Sequence, residues 1–280
     1  MTVGWHEVEP PVMAPLRPVE RVRLVVRAAF AAVTLAVLFT AFLLVRLVEL
    51  AAGALLGRRI EGVGDRVVQV WAVLALGTVG LRFRMSGAPM RGPGAFVANH
   101  SSWLDIVALQ RAAAPHLVSK AEVRDWPGIG LIGRAIGTMF IDRRPGEAKR
   151  QEVELRARLA RGERMAIFPE GTSTDGRRIL PFKSALFAVF LAPELVGRVQ
   201  VQPVTIRYRA RPGLPEELYG WWGGMDFASH LRQVLARSTG GTVELTFHPP
   251  LAAEAFDGRK PLAQAAEAAV RRGFEAPEPV

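Results

Sequence analysis

From residue 83 onwards, short apolar segments alternate with longer segments of helical periodicity. Six segments predict strands, namely 95–98, 116–119, 138–141, 165–168, 199–206 and 243–247. Six others predict helices, namely 102–113, 121–136, 146–161, 182–192, 225–237 and 260–273. Strands that alternate with helices in this way are typical of an α/β domain. We therefore predict a mixed, largely parallel sheet covered by helices.

The N-terminal third of the chain has a different pattern. Residues 1–20 are rich in proline, which predicts a flexible tail. The segment from Ala28 to Val45 carries no charge and is just long enough to span a bilayer. Arginines flank it on both sides, so the distribution of positive charge does not fix an orientation. A true span, a helical hairpin that enters one leaflet and a buried core helix all remain open.

These patterns divide the chain into four parts. We predict a flexible tail over residues 1–20, membrane-anchoring helices over 21–82, a catalytic domain over 83–255, and a C-terminal helix and tail over 256–280. The 280 residues include 36 Lys and Arg against 26 Asp and Glu. Such an excess suits an anionic membrane surface, and equally a nucleic acid. Because no zinc-ligand cluster, arginine-rich tail or RNA-binding signature accompanies it, we predict a membrane surface and no nucleic acid as partner.

Cysteine is absent from the chain. Disulfides, thiolate metal sites and a cysteine nucleophile are therefore excluded. The histidines lack the spacing of metal ligands, so we predict no metal site.

The predicted strand 95–98 leads into a polar turn that contains His100 and, five positions later, Asp105. A neutral imidazole held by a carboxylate can take a proton from a hydroxyl group. Positions i and i+5 do not share a face of a regular helix, so contact between the two requires His100 in the turn and Asp105 in the first helical turn. The structural alternative is a capping box, in which Ser102 begins the helix and Asp105 bonds back to it.

Two further predicted strands end in segments that suit an anionic ligand. Phe168 to Ser173 form a polar, glycine-containing loop after strand 165–168, and successive N–H groups in such a loop can bind an anion. Strand 138–141 is followed by Arg143 and Arg144, which can bind phosphate or carboxylate through two hydrogen bonds. The last feature in this order is strand 199–206, which contains Pro203.

Taken in order, these stretches resemble the four motifs of the lysophospholipid acyltransferase family, which includes 1-acylglycerol-3-phosphate acyltransferase. The first motif, His-x4-Asp, is matched by His100 and Asp105. The second, Phe-Ile-x-Arg, is matched by Phe140, Ile141 and Arg143, and the third, Phe-Pro-Glu-Gly-Thr, by residues 168–172. The fourth, an apolar strand with proline, is matched near Pro203. The resemblance covers roughly residues 83–250.

The resemblance implies an O-acyltransferase that moves a fatty acyl chain from a thioester to a lysolipid hydroxyl. It implies that His100 is the general base and that Asp105 orients and stabilises its imidazole. The implied acceptor-binding residues are Arg143, Glu170, Gly171, Thr172 and Lys183. It implies no cofactor beyond acyl-CoA or acyl-carrier protein as co-substrate, and a location at the bacterial inner membrane with the catalytic domain facing the cytoplasm.

Two departures from the family motifs bear on the acceptor. Many family members carry Arg where this chain has Ser173, and Gly where it has Ala185. The segments 181–187 and 221–225 look similar to the branch that acylates lyso-ornithine lipid. We take 1-acylglycerol-3-phosphate as the leading acceptor and lyso-ornithine lipid as the alternative. A thioester hydrolase and a non-catalytic lipid-binding protein are the alternatives of a different class.

Overall fold

The computed structural model describes residues 14–57, 60, 62–142, 144 and 146–276. Two compact units divide the chain between them. The first comprises the residues up to Arg84 together with Ser101–Ala114 and Tyr208–Val243, and the second comprises Met85–His100, Pro115–Arg207 and the residues from Glu244 onwards. The first unit is mainly helical, and the second contains most of a β-sheet.

Eight strands of one sheet lie within the described residues. They are β1 (Leu81–Ser86), β2 (Gly94–Ala98), β3 (His116–Lys120), β4 (Met139–Ile141), β5 (Arg164–Ile167), β6 (Gln200–Ala210), β7 (Gly241–Phe247) and β8 (Leu251–Ala252). Their order is β1-β7-β6-β2-β5-β3-β4, and β8 pairs with β6. Strand β2 is parallel to β5 and β6, β3 is parallel to β4 and β5, and β8 is antiparallel to β6. The predicted mixed, largely parallel sheet is confirmed.

All six predicted strands are present, but two strands were missed. The edge strand β1 alternates Leu81, Phe83 and Met85 with arginines and a serine, which is a strand pattern, but it crosses the boundary that was predicted between residues 82 and 83. Strand β8 has two residues, which is too short to leave a periodic pattern in the sequence.

Seven α-helices occur in the described part of the chain. They are α1 (Pro18–Leu56), α2 (Val63–Thr78), α3 (Leu104–Ala113), α4 (Ile129–Ala135), α5 (Glu147–Ala160), α6 (Phe227–Arg237) and α7 (Arg259–Glu275). Short 3₁₀ helices cover Ala121–Asp125, Ser184–Leu191, Glu216–Tyr219 and Ala253–Ala255.

Two of the six predicted helices are not continuous α-helices. The predicted helix 121–136 is a 3₁₀ turn followed by α4, because Trp126 is extended, Pro127 follows it, and Gly128 adopts a φ of +72°. The predicted helix 182–192 is the 3₁₀ segment Ser184–Leu191. The other four correspond to α3, α5, α6 and α7.

Helix α1 is the most apolar element of the first unit. It begins at Pro18, so the last three residues of the segment predicted as a flexible tail are helical. Its 39 residues correspond to a length of about 58 Å, which exceeds the roughly 30 Å of a bilayer core. Among the described residues it alone is long and apolar enough to cross a membrane, and only 6% of its apolar window is buried. Its exposed apolar side chains include Val22, Val25, Val26, Phe30, Val33, Val37, Leu44, Leu47 and Val48.

Two arginines of α1 attach it to the C-terminal end of α6 within the first unit. Arg23 donates to the carbonyl of Ala236 at 2.9 Å, and Arg27 donates to the carbonyls of Leu235 and Ser238 at 3.0 and 2.7 Å. The last carbonyls of a helix have no partner within the helix and attract positive charge. The start of the uncharged segment is therefore fixed at a defined point of the unit.

The other end of α1 is joined to the start of α2. The buried Glu49 carboxylate accepts hydrogen bonds from the backbone N–H groups of Val63 and Gly64 at 2.8 and 3.1 Å. Arg46 bridges Glu49 and Asp65 at 2.8 and 2.9 Å. Since the first N–H groups of a helix lack intrahelical acceptors, Glu49 acts as a cap supplied by the preceding helix.

Strand β2 lies at the centre of the second unit. Its five residues are all buried, and both of its neighbours are parallel strands. A continuous apolar strand is the expected form where both faces of a sheet are covered. The residues that come after β2 are thereby held against a rigid core.

Candidate active site

Strands β2 and β5 place His100 of the first motif beside the third motif. The strands are parallel neighbours in which Val97 is opposite Ile167. His100 comes after the end of β2, and Phe168 to Glu170 come after the end of β5. The carboxyl ends of parallel strands meet at one edge of the sheet, where α/β proteins commonly carry their functional residues. His100 of the first motif and the residues of the third motif are therefore brought together within the second unit.

The loop after β5 binds the backbone of His100 on both sides. The N–H of His100 donates to Oε1 of Glu170 at 2.7 Å. The carbonyl of His100 accepts from the N–H and the hydroxyl of Thr174 at 3.0 and 3.3 Å. Thr174 is completely buried and lies outside the four sequence motifs. These bonds fix both peptide groups that flank the His100 side chain.

The imidazole of His100 is stacked on the ring of Phe168. Their centroids are 4.2 Å apart and the rings are inclined by 21°. The stacking restricts the plane of the imidazole, because rotation about the side-chain bonds would separate the two faces. Phe168 belongs to the third motif, but it was not among the predicted site residues.

Glu170 is nearly inaccessible, with an exposed fraction of 3%. Its second carboxylate oxygen, Oε2, accepts from the N–H of Leu180 at 2.7 Å. Both oxygens of this predicted acceptor-binding residue thus accept hydrogen bonds from backbone groups of the protein. Arg178, in the same loop, forms an ion pair with Asp175 at 2.9 Å.

Gly171 and Lys183 lie against each other. Gly171 has a φ of +72°, which favours glycine, and its N–H donates to the carbonyl of Phe168 at 3.1 Å. The Lys183 ammonium occupies the space that a side chain at position 171 would take, and the Lys183 N–H donates to the carbonyl of Pro169 at 3.0 Å. A substituent at Gly171 would displace the ammonium, so Lys183 and the third motif form one structural group.

Helix α7 holds the segment that carries Lys183. Glu267 accepts from the N–H of Phe182 at 2.8 Å, and Arg271 donates to both Glu267 and the carbonyl of Ile179, at 2.8 and 2.9 Å. Thr172, the remaining predicted residue of this loop, is half-buried, with its hydroxyl 3.5 Å from the carbonyl of Ser173.

Arg143 lies outside the described residues. Strand β4, which leads to it, is the third strand from β2 in the sheet. The role implied for Arg143 therefore stays a prediction.

Asp105 lies in the first unit at the start of α3 and is completely buried. Its Oδ2 accepts from the N–H groups of Ser101 and Ser102 at 2.7 and 2.9 Å. This is the backward hydrogen bonding that the capping interpretation predicts. It also fixes the carboxylate beside the residue that directly succeeds His100 in the chain, so the capping and catalytic interpretations are compatible.

The phenol of Tyr208 is part of the surroundings of Asp105. Burial, the charge of Asp105 and a hydrogen bond with that carboxylate raise the pKa of Tyr208 well above its usual value of 10.0. A tyrosine that stays protonated acts as a hydrogen-bond donor toward a carboxylate. Sequence reasoning missed Tyr208, because nothing in its spacing relates it to Asp105.

Aromatic side chains of the first unit adjoin the Ser101–Asp105 turn. The N–H of Trp221 donates to the carbonyl of Ser101 at 2.8 Å. The Trp103 indole donates to Nδ1 of His230 at 3.0 Å, and the rings of Trp103 and Trp221 both contact Phe227 edge-on. Burial lowers the pKa of His230 to about 4, so its imidazole is neutral and accepts the indole N–H.

Several known proteins are similar to this chain. Residues 82–207 match the family described as Acyltransferase. The chain is 44% identical over 275 residues to a lyso-ornithine lipid O-acyltransferase of Rhodobacter capsulatus, with 96% of both chains covered. It is 38% identical over 154 residues to a 1-acyl-sn-glycerol-3-phosphate acyltransferase of Neisseria gonorrhoeae, with 51% of this chain and 57% of that protein covered.

The fold also has a counterpart among solved structures. The crystal structure of a 1-acyl-sn-glycerophosphate acyltransferase from Thermotoga maritima superposes with a TM-score of 0.67. The match covers 91% of this chain and 96% of that chain, at 22% sequence identity. At this identity the likeness concerns the fold alone.

Proposed function

Because this chain belongs to the lysophospholipid acyltransferase family, we propose that it transfers a fatty acyl chain from a thioester to the hydroxyl of lyso-ornithine lipid. One observation carries the choice of acceptor: the similarity to a lyso-ornithine lipid O-acyltransferase extends over 96% of both chains. The similarity to the gonococcal 1-acylglycerol-3-phosphate enzyme covers 51% of this chain. Ser173, which replaces an arginine suited to a phosphate ester, supports the same choice. Lysophosphatidate, the acceptor favoured by the sequence analysis, is the second candidate.

We infer that His100 is the general base of the reaction. The imidazole takes the proton of the acceptor hydroxyl as its oxygen attacks the thioester carbonyl, and the carbon–sulfur bond then breaks. The departing thiolate receives the proton back from the imidazolium. Asp105 stabilises the charged imidazolium and selects the tautomer of the neutral ring, which are the tasks of a carboxylate beside a catalytic histidine. N–H groups of the loop after β5 are suited to stabilise the oxyanion.

The acceptor headgroup is proposed to bind beside the third motif. Lys183 lies against Gly171, and its ammonium can bind the carboxylate of an ornithine headgroup. Gly171 and Thr172 shape the loop around it, and Arg143 would add a second cation. The donor is acyl-CoA or acyl-carrier protein, and the reaction as written needs no other cofactor.

We further propose that the protein works at the cytoplasmic face of a bacterial inner membrane, where both donors are available. The exposed apolar surface of α1 and the net charge of +10 support attachment to an anionic membrane. Digestion of inverted and right-side-out membrane vesicles with an added protease tests the location. Cleavage of the catalytic region only in inverted vesicles is expected, and cleavage only in right-side-out vesicles would contradict it.

The function is tested by a product assay of the purified protein in mixed micelles. One labelled acyl donor is supplied with lyso-ornithine lipid or with lysophosphatidate. We expect labelled ornithine lipid as the main product. Acylation of lysophosphatidate alone would overturn the choice of acceptor, and release of free fatty acid without any esterified lipid would indicate a thioester hydrolase.

The substitution Ser173→Arg tests the headgroup site. A new guanidinium would repel the amine of an ornithine headgroup, so acylation of lyso-ornithine lipid should fall several-fold, by about 1 kcal/mol in transition-state stabilisation. The matched control is Val196→Arg, which adds the same charge at an exposed position. Increased turnover of lyso-ornithine lipid by Ser173→Arg would count against this headgroup.

A further inference from the structure

We propose that Glu170 and Thr174 are positioning residues for His100, and that Glu170 does not bind the acceptor headgroup. The inference rests on the proposed function, because it takes His100 to be the general base. It reassigns one residue of the third motif and gives a role to Thr174, which lies outside all four motifs.

The first argument is geometric. Glu170 and Thr174 bind opposite sides of the same residue: Glu170 accepts from the His100 N–H at 2.7 Å, and Thr174 donates to the His100 carbonyl at 3.0 and 3.3 Å. With both flanking peptide groups held, the position and direction of the His100 Cα–Cβ bond are determined. The stacking on Phe168 then sets the plane of the ring. A base held in this way approaches its substrate in one orientation, which is the condition for efficient proton transfer.

The second argument concerns accessibility. Glu170 is 3% exposed, and each carboxylate oxygen accepts a backbone N–H at 2.7 Å, from His100 and from Leu180. Charge-assisted bonds to backbone N–H groups satisfy a buried carboxylate without a counter-ion from a ligand. The burial of Glu170 leaves little of its carboxylate surface open to a headgroup.

The third argument concerns the segments that Glu170 joins. Its second bond, to the Leu180 N–H, ties the His100 loop to the segment that α7 holds through Phe182 and Ile179. Lys183 belongs to that segment and lies against Gly171. Glu170 therefore fixes the spacing between the general base and Lys183, the cation proposed for the headgroup.

The test compares Glu170→Gln and Thr174→Val with the matched surface variants Glu194→Gln and Thr246→Val. In Glu170→Gln one backbone N–H faces an amide donor instead of an oxygen, so kcat should fall about 10²-fold while the acceptor KM stays within about twofold. Thr174→Val keeps the backbone N–H bond to His100 and removes the hydroxyl, which also bonds with the Arg178 carbonyl and the Gly176 N–H. It should lower kcat about fivefold. Both surface variants should retain the kinetics of the wild type.

Two readouts separate positioning from substrate binding and from a general structural role. The acidic limb of the pH–rate profile should move in Glu170→Gln, because a displaced imidazole has a changed environment, and it should not move in Glu194→Gln. Lys183→Met should raise the acceptor KM. A raised acceptor KM with normal kcat in Glu170→Gln would overturn the proposal. The proposal would also be overturned if the pH profile of Glu170→Gln did not move and its loss of kcat equalled its loss of folded protein, as measured by near-ultraviolet circular dichroism.

These outcomes are independent of the choice of acceptor. If the wild type acylates lysophosphatidate and not lyso-ornithine lipid, the acceptor proposal fails, and the same kcat and KM comparison is made with lysophosphatidate. If Glu170→Gln does not fold, Thr174→Val carries the test. Wild-type kinetics in a folded Thr174→Val protein would then contradict the positioning role.

Discussion

Two apolar segments of this chain have opposite surroundings. Strand β2 is enclosed by parallel neighbours, and its residues Ala95 to Ala98 have exposed fractions of 0–1%. Helix α1 contains a longer apolar segment, yet only 6% of its most apolar window is buried. Apolar composition predicts exclusion from water, but it does not reveal whether protein or lipid replaces the water.

The two segments also differ in the roles that their surroundings allow. Because β2 is buried beside the parallel strand β5, His100 at its end is held by hydrogen bonds with Glu170 and Thr174 of the loop after β5. Because α1 leaves its apolar side chains exposed, it is suited to lie in lipid while Arg23 and Arg27 hold it to α6. We infer that the chemistry and the membrane attachment of this protein are separable.

The largest expected effect on turnover comes from substitution of His100, which follows β2. His100→Ala removes the proposed general base, so turnover should fall by about 10²- to 10⁴-fold while membrane binding is unchanged. The measurement is acyl transfer by purified protein, together with flotation on liposomes. Near-normal turnover of a homogeneous His100→Ala preparation would disprove the general-base mechanism.

Asp105→Asn should have a smaller but still severe effect on turnover. An asparagine can keep one oxygen toward the N–H groups of Ser101 and Ser102, so the turn should persist. The neutral side chain loses the stabilisation of imidazolium and can favour the wrong tautomer, so a loss of at least about 10²-fold is expected. Retained thermal stability together with retained activity would show that Asp105 is only a helix cap.

The attachment of α1 to a bilayer is tested by introducing charges on its exposed surface. Val33, Val37 and Leu44 are 60–62% exposed, so a triple substitution by Asp should leave the fold intact. Burying three carboxylates in lipid is unfavourable by about 2.5–3.5 kcal/mol each at the bilayer centre. We expect most of the triple variant to remain unbound in liposome flotation, whereas Val153→Asp on α5, which is 57% exposed, should bind like the wild type. Equal liposome binding by the wild type, the triple variant and Val153→Asp would exclude α1 as the anchor.

The smallest expected effect is the loss of stability at low pH that the buried His230 of the first unit causes. Burial lowers the pKa of His230 from 6.5 to about 4. The folded state therefore binds fewer protons than the unfolded state between these values, and the free energy of unfolding should fall as the pH drops from 6.5 towards 4, by up to about 3 kcal/mol. Thermal unfolding in detergent at pH 7 and pH 4.5 measures this loss. His230→Asn should reduce the difference in stability between pH 7 and pH 4.5. An unchanged difference in stability would show that other groups cause the loss at acid pH.

The fold could be predicted from the sequence wherever periodicity was strong. Continuous apolar runs located β2 and β5, and helical periodicity located α3, α5, α6 and α7. Periodicity failed at residues 126–128, where a proline and a left-handed glycine interrupt a helical pattern. Strand β1 was missed although its arginines alternate with apolar residues, because it crosses the predicted boundary between the anchoring helices and the catalytic domain.

The site could be predicted only in part. Motif order identified His100 and the loop that contacts it, because both lie at the ends of adjacent parallel strands. Thr174 and Tyr208 were missed because their roles depend on three-dimensional proximity and leave no spacing in the sequence. Glu170 was predicted as an acceptor-binding residue, and the sequence could not indicate that both of its oxygens accept backbone N–H groups.

The separation of chemistry from attachment is tested most directly by the turnover of the α1 triple-Asp variant in detergent micelles. Micelles deliver the lysolipid acceptor without requiring a bilayer anchor. We predict that this variant does not bind liposomes but acylates micellar acceptor at a rate within about threefold of the wild type. His100→Ala should bind liposomes but should not acylate the acceptor. A folded triple variant that is as inactive in micelles as His100→Ala would contradict the separation, because α1 would then be part of the catalytic site.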